Sequence, residues 1–261
     1  MNIVVALKLV PDLVEELVLD EQGVALDETC LRLIVNEFDD HALEQAILLK
    51  EAGAGPVTVM APEMDGADDA LYVAAAKGAD RLIRLKGDFG QGVPSHGLAR
   101  VFANAMKTLR PELILTGVQA HNDLDGPIGP RLAELLGMPY VGYVSGVALA
   151  GNVATVRKEY PGGLIAEMEM VLPGVLGIQA SAQPPRYVPI SKIRQAMKTA
   201  SIENVPAAEL EAVNGWPVSR LFLPAPAARA EMIEGDAGVV AARLVELFRE
   251  QGILEWIVSF A

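Results

Sequence analysis

The sequence predicts an α/β fold built on a doubly wound, mostly parallel sheet with helices on both faces. Three observations support this prediction. Short apolar runs typical of buried parallel strands alternate with helical patterns along the first half of the chain. Of the 261 residues, 51% are hydrophobic but only 5% are aromatic, which indicates a core of aliphatic side chains. After Pro139 the pattern changes to strands separated by hairpin turns, which predicts antiparallel additions to the sheet.

The parallel part of the sheet is expected from four apolar runs, at residues 3–7, 56–60, 81–85 and 112–117. The helices between them follow from capping residues and apolar spacing. Asn36 and Asp65 are the expected N-caps of the first two helices, and Gly137 ends the fourth. The predicted helices span about residues 36–52, 66–77, 95–109 and 130–136. This alternating order implies right-handed crossovers and a ligand site outside the carboxyl ends of the strands.

The antiparallel additions are expected from four strand-like segments, at residues 144–150, 152–158, 164–172 and 174–179. Gly151 lies between the first two segments, and Gly162 with Gly163 lies between the second and the third. Both positions suit hairpin turns, because glycine adopts the backbone conformations that tight turns require.

The C-terminal part of the chain differs from the rest in composition and in hydrophobic periodicity. From residue 201 to about 234 it is rich in Pro and Ala with few periodic signals, before a helical pattern near 237–251. We therefore expect an α/β nucleotide-binding core at residues 1–200 and a C-terminal extended arm and helix at 201–261 that pack on another subunit. Trp216 and Phe222 are the expected anchors of this arm, because they have no helix or strand of their own to pack in.

The charge balance excludes several classes of partner. With 21 basic and 34 acidic residues the formal net charge is −13, which repels nucleic acids and anionic lipid surfaces.

No apolar stretch reaches the roughly 18 residues of a membrane span, so direct membrane insertion is not expected. A single cysteine and the absence of a targeting segment predict a cytoplasmic protein. The three histidines lack the spacing of metal ligands, so no metal site is expected.

The segment from residue 116 to 130 leaves a buried strand and enters a helix, which is where anions bind in α/β proteins. Backbone N–H groups near Gly126 and Gly129 could face a phosphate at the helix N-terminus. Asp123 or Asp125 could accept a hydrogen bond from a ribose hydroxyl, or could cap the helix. The segment alone does not separate a nucleotide site from a capped turn.

A second segment, residues 184–198, is a basic island in an acidic chain. No acidic residue occurs between Glu169 and Glu203. One interpretation is a loop that presents Arg186 and Tyr187 to a partner protein. The other is a solvated helix with cations near its C-terminus, where the helix dipole favours positive charge.

Six short motifs follow one another along nearly the whole chain. They are Val5-Ala6-Leu7-Lys8 with Pro11-Asp12, Asn36-Glu37-Phe38-Asp39, Ala76-Lys77-Gly78-Ala79-Asp80-Arg81, Thr116-Gly117-Val118-Gln119-Ala120, Gly162-Gly163-Leu164, and Pro185-Arg186-Tyr187 with Pro189 ahead of Lys192. In order and spacing these motifs resemble the β subunit of electron transfer flavoproteins.

This resemblance implies an adenine nucleotide hydrolase-like three-layer fold and an αβ heterodimer. The α subunit of such a heterodimer holds most of the FAD, while the β subunit buries AMP or, in bifurcating relatives, a second FAD. The family carries electrons from flavin dehydrogenases to an acceptor such as a membrane quinone oxidoreductase. The resemblance therefore implies an electron carrier subunit and not an enzyme, since the β side chains make or break no substrate bond.

The resemblance also assigns residues to the cofactors. Three positions fall where the family approaches the nucleotide: Ala6, Asn36 and Met60. Two match positions near the flavin held by the partner: Leu13 and Phe38. The phosphate-binding turn corresponds to Asp123, Gly126, Pro127, Ile128 and Gly129. The loop that docks on a partner corresponds to Ala182, Pro185, Arg186 and Tyr187.

This chain differs from the family pattern at three places. Pro127 and Ile128 replace a Gln followed by Thr or Val, so one N–H donor and one polar side chain are lost. Ala182 stands where the docking loop usually has a leucine, which removes roughly 1.5–3 kcal/mol of apolar contact. Residues 93–97 lack the threonine-rich helix entry of many bifurcating relatives, which favours a carrier that does not bifurcate.

Two other functions are compatible with parts of the sequence. A stand-alone adenine-nucleotide-binding sensor of related fold would bind AMP or ATP without flavin, but it leaves the Pro-rich arm unexplained. An enzyme that uses the carboxylates of Asp123 and Asp125 would need a nucleophile or base beside them, and the sequence offers no such motif.

Overall fold

The computed structural model describes residues 1–27, 29, 31–89, 93–207, 218–225, 230 and 232–253. The strands of this part of the chain are β1 (Ile3–Ala6), β2 (Leu9–Pro11), β3 (Leu33–Val35), β4 (Val57–Pro62), β5 (Arg81–Lys86), β6 (Leu113–Gly117), β7 (Tyr140–Ala150), β8 (Val153–Tyr160), β9 (Leu164–Val171), β10 (Gly174–Ile178) and β11 (Ile202–Pro206). The α-helices are α1 (Glu37–Glu51), α2 (Ala67–Lys77), α3 (Ser95–Leu109), α4 (Ile128–Leu136), α5 (Ile190–Thr199) and α6 (Ala237–Glu250).

Nine of the described strands form one sheet, in the order β11-β5-β4-β1-β6-β10-β7-β8-β9. Neighbours from β11 to β7 pair in parallel, whereas β7, β8 and β9 pair antiparallel. β2 and β3 form a separate antiparallel ribbon. The predicted sheet, mostly parallel with antiparallel additions, is therefore confirmed. The segment at residues 174–179 differs from the prediction, because it forms β10, which pairs in parallel with both β6 and β7 and is not an antiparallel addition.

Side chains that alternate along the central strands build two cores, one on each face of the sheet. Val5 of β1 lies in one buried cluster with Leu43 of α1, and that cluster also contains side chains of α2. Val4 lies in the other cluster with Phe102 of α3, together with side chains of α4. Helices thus cover both faces, as predicted, and each fully buried aliphatic side chain stabilises the fold by about 1.5–3 kcal/mol.

The order of the strands fixes where a ligand can bind. From β1 the chain adds β4 and β5 on one side, then crosses through α3 and places β6 on the other side of β1. The carboxyl ends of β1 and β6, at Ala6 and Gly117, therefore meet where the winding direction reverses. In open α/β sheets this point leaves a crevice that receives ligands.

Two helix starts differ from the prediction. α2 begins at Ala67 after Gly66, whose φ of 76° is left-handed, so Asp65 is not its N-cap. α4 begins at Ile128 instead of residue 130, with Pro127 at the N-cap position. Pro130 is tolerated inside this helix because the N–H groups of a first helical turn have no intrahelical partner.

The first residues of the expected C-terminal arm form a strand of the main sheet. β11 pairs in parallel with β5, so the sheet continues beyond the boundary expected at residue 200. The chain divides into two compact units, Met1–Leu221 and Phe222–Ala261. In the second unit, the Asp236 carboxylate caps α6 by accepting hydrogen bonds from N–H groups of its first turn.

The role of residues 201–261 as an arm on another subunit stays a prediction. Trp216, one of its two expected anchors, lies outside the described residues. Phe222, the other, is 68% exposed. In the described part of the chain no helix is both long and apolar enough to cross a membrane.

Candidate functional site

A narrow cleft lies at the reversal point, between the ends of β1 and β6, the first turn of α1 and the start of α4. Four of the residues that the sequence assigned to the cofactor line this cleft: Ala6, Asn36, Asp123 and Ile128. The cleft therefore brings together residues that lie far apart in the chain.

Other predicted cofactor residues have different surroundings. Met60 is fully buried in the core on the α3 side of the sheet, so its contact with a nucleotide stays a prediction. Leu13 is 61% exposed, and Phe38 is half-buried in the first turn of α1. Gly126, with a φ of 98°, lies in the turn that leads to α4.

Asp39 also lines this cleft, although in the sequence it stood out only as the last residue of the Asn36-Glu37-Phe38-Asp39 motif, with no role of its own. Its carboxylate is buried and accepts hydrogen bonds from Lys8 N–H at 2.8 Å and Gly117 N–H at 2.6 Å. Asp39 therefore ties together the chain segments that leave β1 and β6. Burial raises the pKa of Asp39 to about 7, although hydrogen bonds from Lys8, Gly117 and Asn36 act to lower it.

Gly117 permits this arrangement because the first turn of α1 lies directly on the end of β6. A Cβ atom at residue 117 would stand 2.5 Å from Asp39 Oδ1 and 2.8 Å from Phe38 Cβ. Only glycine lets the backbone approach so closely. Asn36, at the N-cap position of α1, directs its side-chain amide to the carbonyl oxygen of Gln119 at 2.9 Å, which links the same turn to the segment after β6.

Asp123 forms a buried ion pair with Lys8, with Nζ and Oδ1 2.5 Å apart and the two side chains 10% and 7% exposed. Its carboxylate also accepts hydrogen bonds from Ser95 Oγ at 2.9 Å and from Ala120 N–H at 2.7 Å. Several groups of the protein thus already bind Asp123, so a ribose hydroxyl would have to share it with them. The pair requires these added hydrogen bonds, because burying two charges is costly.

Asp125 caps a helix, which was one of the two roles left open by the sequence, but the helix is α3. Its carboxylate accepts hydrogen bonds from the N–H groups of Ser95 and His96 and lies 2.9 Å from His96 Nδ1. Burial acts to raise the pKa of Asp125. The hydrogen bonds from His96 and Ser95, together with the charge of Arg131, outweigh that effect and lower it to about 2.

Two features of the cleft point to a polar ligand. The hydroxyl oxygen of Thr116 is buried in its wall and has no hydrogen-bond partner among the described residues. An unpaired buried polar group costs about 1–3 kcal/mol, which a ligand could recover. Ile128, the first residue of α4, also lines the cleft, so the positive end of a helix dipole faces it.

Gly129 is required for packing, whatever the ligand. A Cβ atom at this position would stand 2.9 Å from Thr116 Oγ1 and 2.9 Å from a ring carbon of Tyr140. The glycine therefore lets α4 lie close to the sheet. A side chain at residue 129 would disturb this packing as well as any bound phosphate.

The predicted docking loop is fastened to α1. Ser181 N–H donates to His41 Nδ1 at 3.2 Å, and Ala182 N–H donates to Gln45 Oε1 at 3.0 Å. Ala182 itself is exposed and Pro185 is half-buried. The loop thus has a fixed path over one face of α1.

Arg186 is bound within the chain. Its backbone N–H and its Nε each donate to Glu44 at 2.9 Å, and its Nη1 donates to Glu51 at 2.6 Å. The Glu44 side chain is only 2% exposed. Hydrogen bonds from these two carboxylates raise the pKa of Arg186 above its ordinary range. The guanidinium group therefore fixes the loop, while the next residue, Tyr187, is 84% exposed.

Comparison with known proteins identifies relatives over most of the chain. A family model described as the electron transfer flavoprotein domain matches residues 24–210. The electron transfer flavoprotein subunit beta of Methylophilus methylotrophus is 31% identical over 262 residues, which cover 96% of this chain and 98% of the relative. The corresponding subunit of Syntrophomonas wolfei is 35% identical and covers 83% and 84% of the two chains. That of Bacillus subtilis is 28% identical and covers 96% and 98%.

Proposed function

Because the chain belongs to the electron transfer flavoprotein β-subunit family, we propose that it forms a heterodimer with an α subunit that holds most of the FAD. The heterodimer would carry electrons from flavin dehydrogenases to an acceptor such as a membrane quinone oxidoreductase. This chain would serve as the scaffold of the carrier in the cytoplasm and would perform no substrate chemistry of its own. The flavin, when bound, supplies the redox chemistry.

The cleft between β1 and β6 is the observation that carries this proposal. Its residues fit an adenine nucleotide, which we assign as AMP. The N-terminus of α4 at Ile128 offers N–H groups and a positive dipole to the phosphate. Thr116 offers an unpaired buried hydroxyl, and Ala6 lines the cleft with a small side chain at the end of β1. A second FAD is the alternative occupant in a bifurcating carrier.

The exposed apolar side chains after β2 suit a flavin held by the partner. Leu13 is 61% exposed and Val14 is 91% exposed, and half-buried Phe38 lies beside Gly117 at the end of β6. Exposed apolar side chains in a group are unusual in a monomer and mark interaction surfaces. We assign Leu13 and Phe38 to contact with the flavin, where they would exclude water from the ring and help to hold it in place.

The loop at residues 181–187 is the proposed contact with a flavin dehydrogenase. Arg186 holds the loop on α1, and exposed Tyr187 would enter the partner, since aromatic side chains are frequent anchors of interfaces. The adjacent helix α5 presents Lys192, Arg194 and Lys198 on a chain whose net charge is −13. A partner with an acidic surface would therefore be attracted to this part of the molecule.

Co-expression of this chain with an α subunit tests the proposed carrier. We expect a yellow complex that contains about one flavin per heterodimer and whose flavin is reduced by a flavin dehydrogenase. A colourless monomer that binds ATP would instead support a stand-alone nucleotide sensor. The two outcomes are distinguished by the absorbance of the purified protein and by its mass in solution.

A further inference from the structure

Asp39 is a buried carboxylate that joins the segments leaving β1 and β6, and this structural role does not fix its charge. It lines the cleft and receives the N–H groups of Lys8 and Gly117. The two bonds go to different oxygen atoms, Lys8 N–H to Oδ2 and Gly117 N–H to Oδ1, so a carboxyl group can accept both in either charge state, whereas an amide could accept only one. The group can therefore change its charge without losing either bond.

The charges around Asp39 do not balance. The described residues that line the cleft include two carboxylates, Asp39 and Asp123, and one ammonium group, Lys8. The ammonium lies 2.5 Å from Asp123, so its positive charge mainly offsets the negative charge of Asp123 and not that of Asp39. A nucleotide phosphate would bring further negative charge into this poorly screened space. Lys8 is the charged group that acts on Asp39 most directly. Lys8 in turn lies beside Asp123 and His121, which follow β6. The first turn of α1 also carries Glu37 and Asp40, and Asp40 pairs with Lys77.

We propose that Asp39 takes up a proton when the phosphate of an adenine nucleotide enters the cleft, so that nucleotide binding to this subunit is coupled to protonation of this carboxyl group. The inference rests on the proposed nucleotide site and extends it. As the neutral acid, Asp39 removes one of the two negative charges that face the phosphate. Its oxygen atoms stay in place to accept hydrogen bonds from the two strand ends.

Burial makes such a change accessible near neutral pH. The pKa of Asp39 is already raised to about 7, and a further anion nearby raises it again. Above about pH 7 the free site holds ionised Asp39 and the occupied site holds the neutral acid. Affinity for nucleotide should therefore fall by up to about tenfold for each pH unit in this range. The phosphate does not contribute there, because its second pKa is about 6.

Titration calorimetry of AMP into the heterodimer freed of nucleotide measures this coupling directly. The heat of binding at about pH 8 is compared in two buffers of different ionisation enthalpy, which gives the number of protons taken up. We expect the wild-type complex to take up close to one proton per AMP. In Asp39→Asn the uptake should vanish and the affinity should no longer depend on pH. His121→Gln is the matched control, because it removes the other titrating group near Lys8, and it should keep the uptake.

The outcomes separate this inference from the proposed function. AMP binding without proton uptake by the wild-type complex, or uptake that persists in Asp39→Asn, overturns the role of Asp39 and leaves the nucleotide site intact. A heterodimer that binds no AMP overturns the site itself and the inference with it. Should Asp39→Asn not fold, the wild-type proton count and the wild-type affinity between about pH 7.5 and 9 decide alone, since a flat profile contradicts the coupling.

Discussion

The cleft and the docking loop both depend on α1, but they use its groups in opposite ways. In the cleft, the first turn of α1 contributes Asp39, and Thr116 nearby keeps an unpaired hydroxyl. Farther along the helix, Glu44 and Glu51 hold Arg186 through several hydrogen bonds. The cleft thus leaves the Thr116 hydroxyl for a ligand to satisfy, whereas the Arg186 guanidinium of the loop is bonded within the chain and the neighbouring Tyr187 is exposed. An unpaired buried polar group therefore indicates a ligand-binding site, whereas an exposed side chain on a firmly held loop indicates a surface for protein contact.

The largest expected effect is on the cleft side of this comparison. In Gly117→Ala the new methyl group would stand 2.5 Å from Asp39 Oδ1, so α1 must move away from β6. We expect the free energy of unfolding to fall by about 3 kcal/mol in denaturant titrations. Gly146→Ala is the control, because its nearest neighbour would be 3.7 Å away, and it should change stability by less than about 0.5 kcal/mol. Equal losses in the two variants would contradict the close packing of α1 on β6.

The next effect concerns the loop. Arg186→Gln leaves the buried Glu44 carboxylate without its cation. Because Arg186 is itself 31% exposed, water relieves part of the loss, and we expect about 2 kcal/mol of destabilisation. Hydrogen exchange should also become faster in residues 181–188.

Tyr187→Ala is the matched variant for the loop, since the side chain is 84% exposed. It should leave stability unchanged and slow reduction of the flavin by a dehydrogenase. If Arg186→Gln were as stable as wild type while Tyr187→Ala were destabilised, the assigned roles of the two residues would have to be exchanged.

These two regions show which parts of the molecule are visible in the sequence. Apolar runs located the strands and the helices, and glycines located the turns between them, since burial and backbone freedom are local properties. The side-chain assignments depended on partners distant in the chain. Nothing near Arg186 in sequence shows that Glu44 and Glu51 bind it, and nothing near Asp39 shows that Lys8 and Gly117 do.

Capping was the other place where local reasoning was insufficient. Asp65 was expected to cap α2, but Gly66, in a left-handed conformation, occupies the N-cap position of that helix. Asp125 lies just before α4 in sequence, yet it caps α3 because the turn after β6 approaches that helix. The signal that could have identified Asp39 was its position three residues after Asn36 in a motif of the family, combined with a glycine at the end of β6.

A smaller effect distinguishes ligand binding from stability in the cleft. Thr116→Val removes the unpaired hydroxyl but keeps the shape of the side chain. The free energy of unfolding should stay the same or rise slightly, because an unsatisfied buried group is lost. Affinity for AMP, measured by calorimetry, should fall about tenfold, which corresponds to about 1.4 kcal/mol. A loss of stability without a loss of affinity would show that Thr116 belongs to the core and not to the site.

The smallest expected effect is an acid dependence at the turn after β6. The pKa of Asp125 is lowered to about 2 in the folded protein, below its value of 3.8 when unfolded. Its contribution is therefore fully present above about pH 4 and is lost as the pH falls towards 2. With partial screening by water, we expect Asp125→Asn to cost about 1 kcal/mol at pH 7. The difference from wild type should shrink towards zero near pH 2, and a difference that is constant with pH would contradict the assignment.

The nucleotide content of the purified heterodimer, measured with and without Ala6→Leu, tests the central claim most directly. Ala6 is 4% exposed at the end of β1 and lines the cleft, so a leucine there should fill the space that the nucleotide needs. We expect about one AMP per wild-type heterodimer and almost none in the variant, with the flavin retained in both as a sign of correct folding. A variant that keeps both FAD and AMP, or a wild-type complex that contains one FAD but neither AMP nor a second FAD, would contradict the assignment of this cleft.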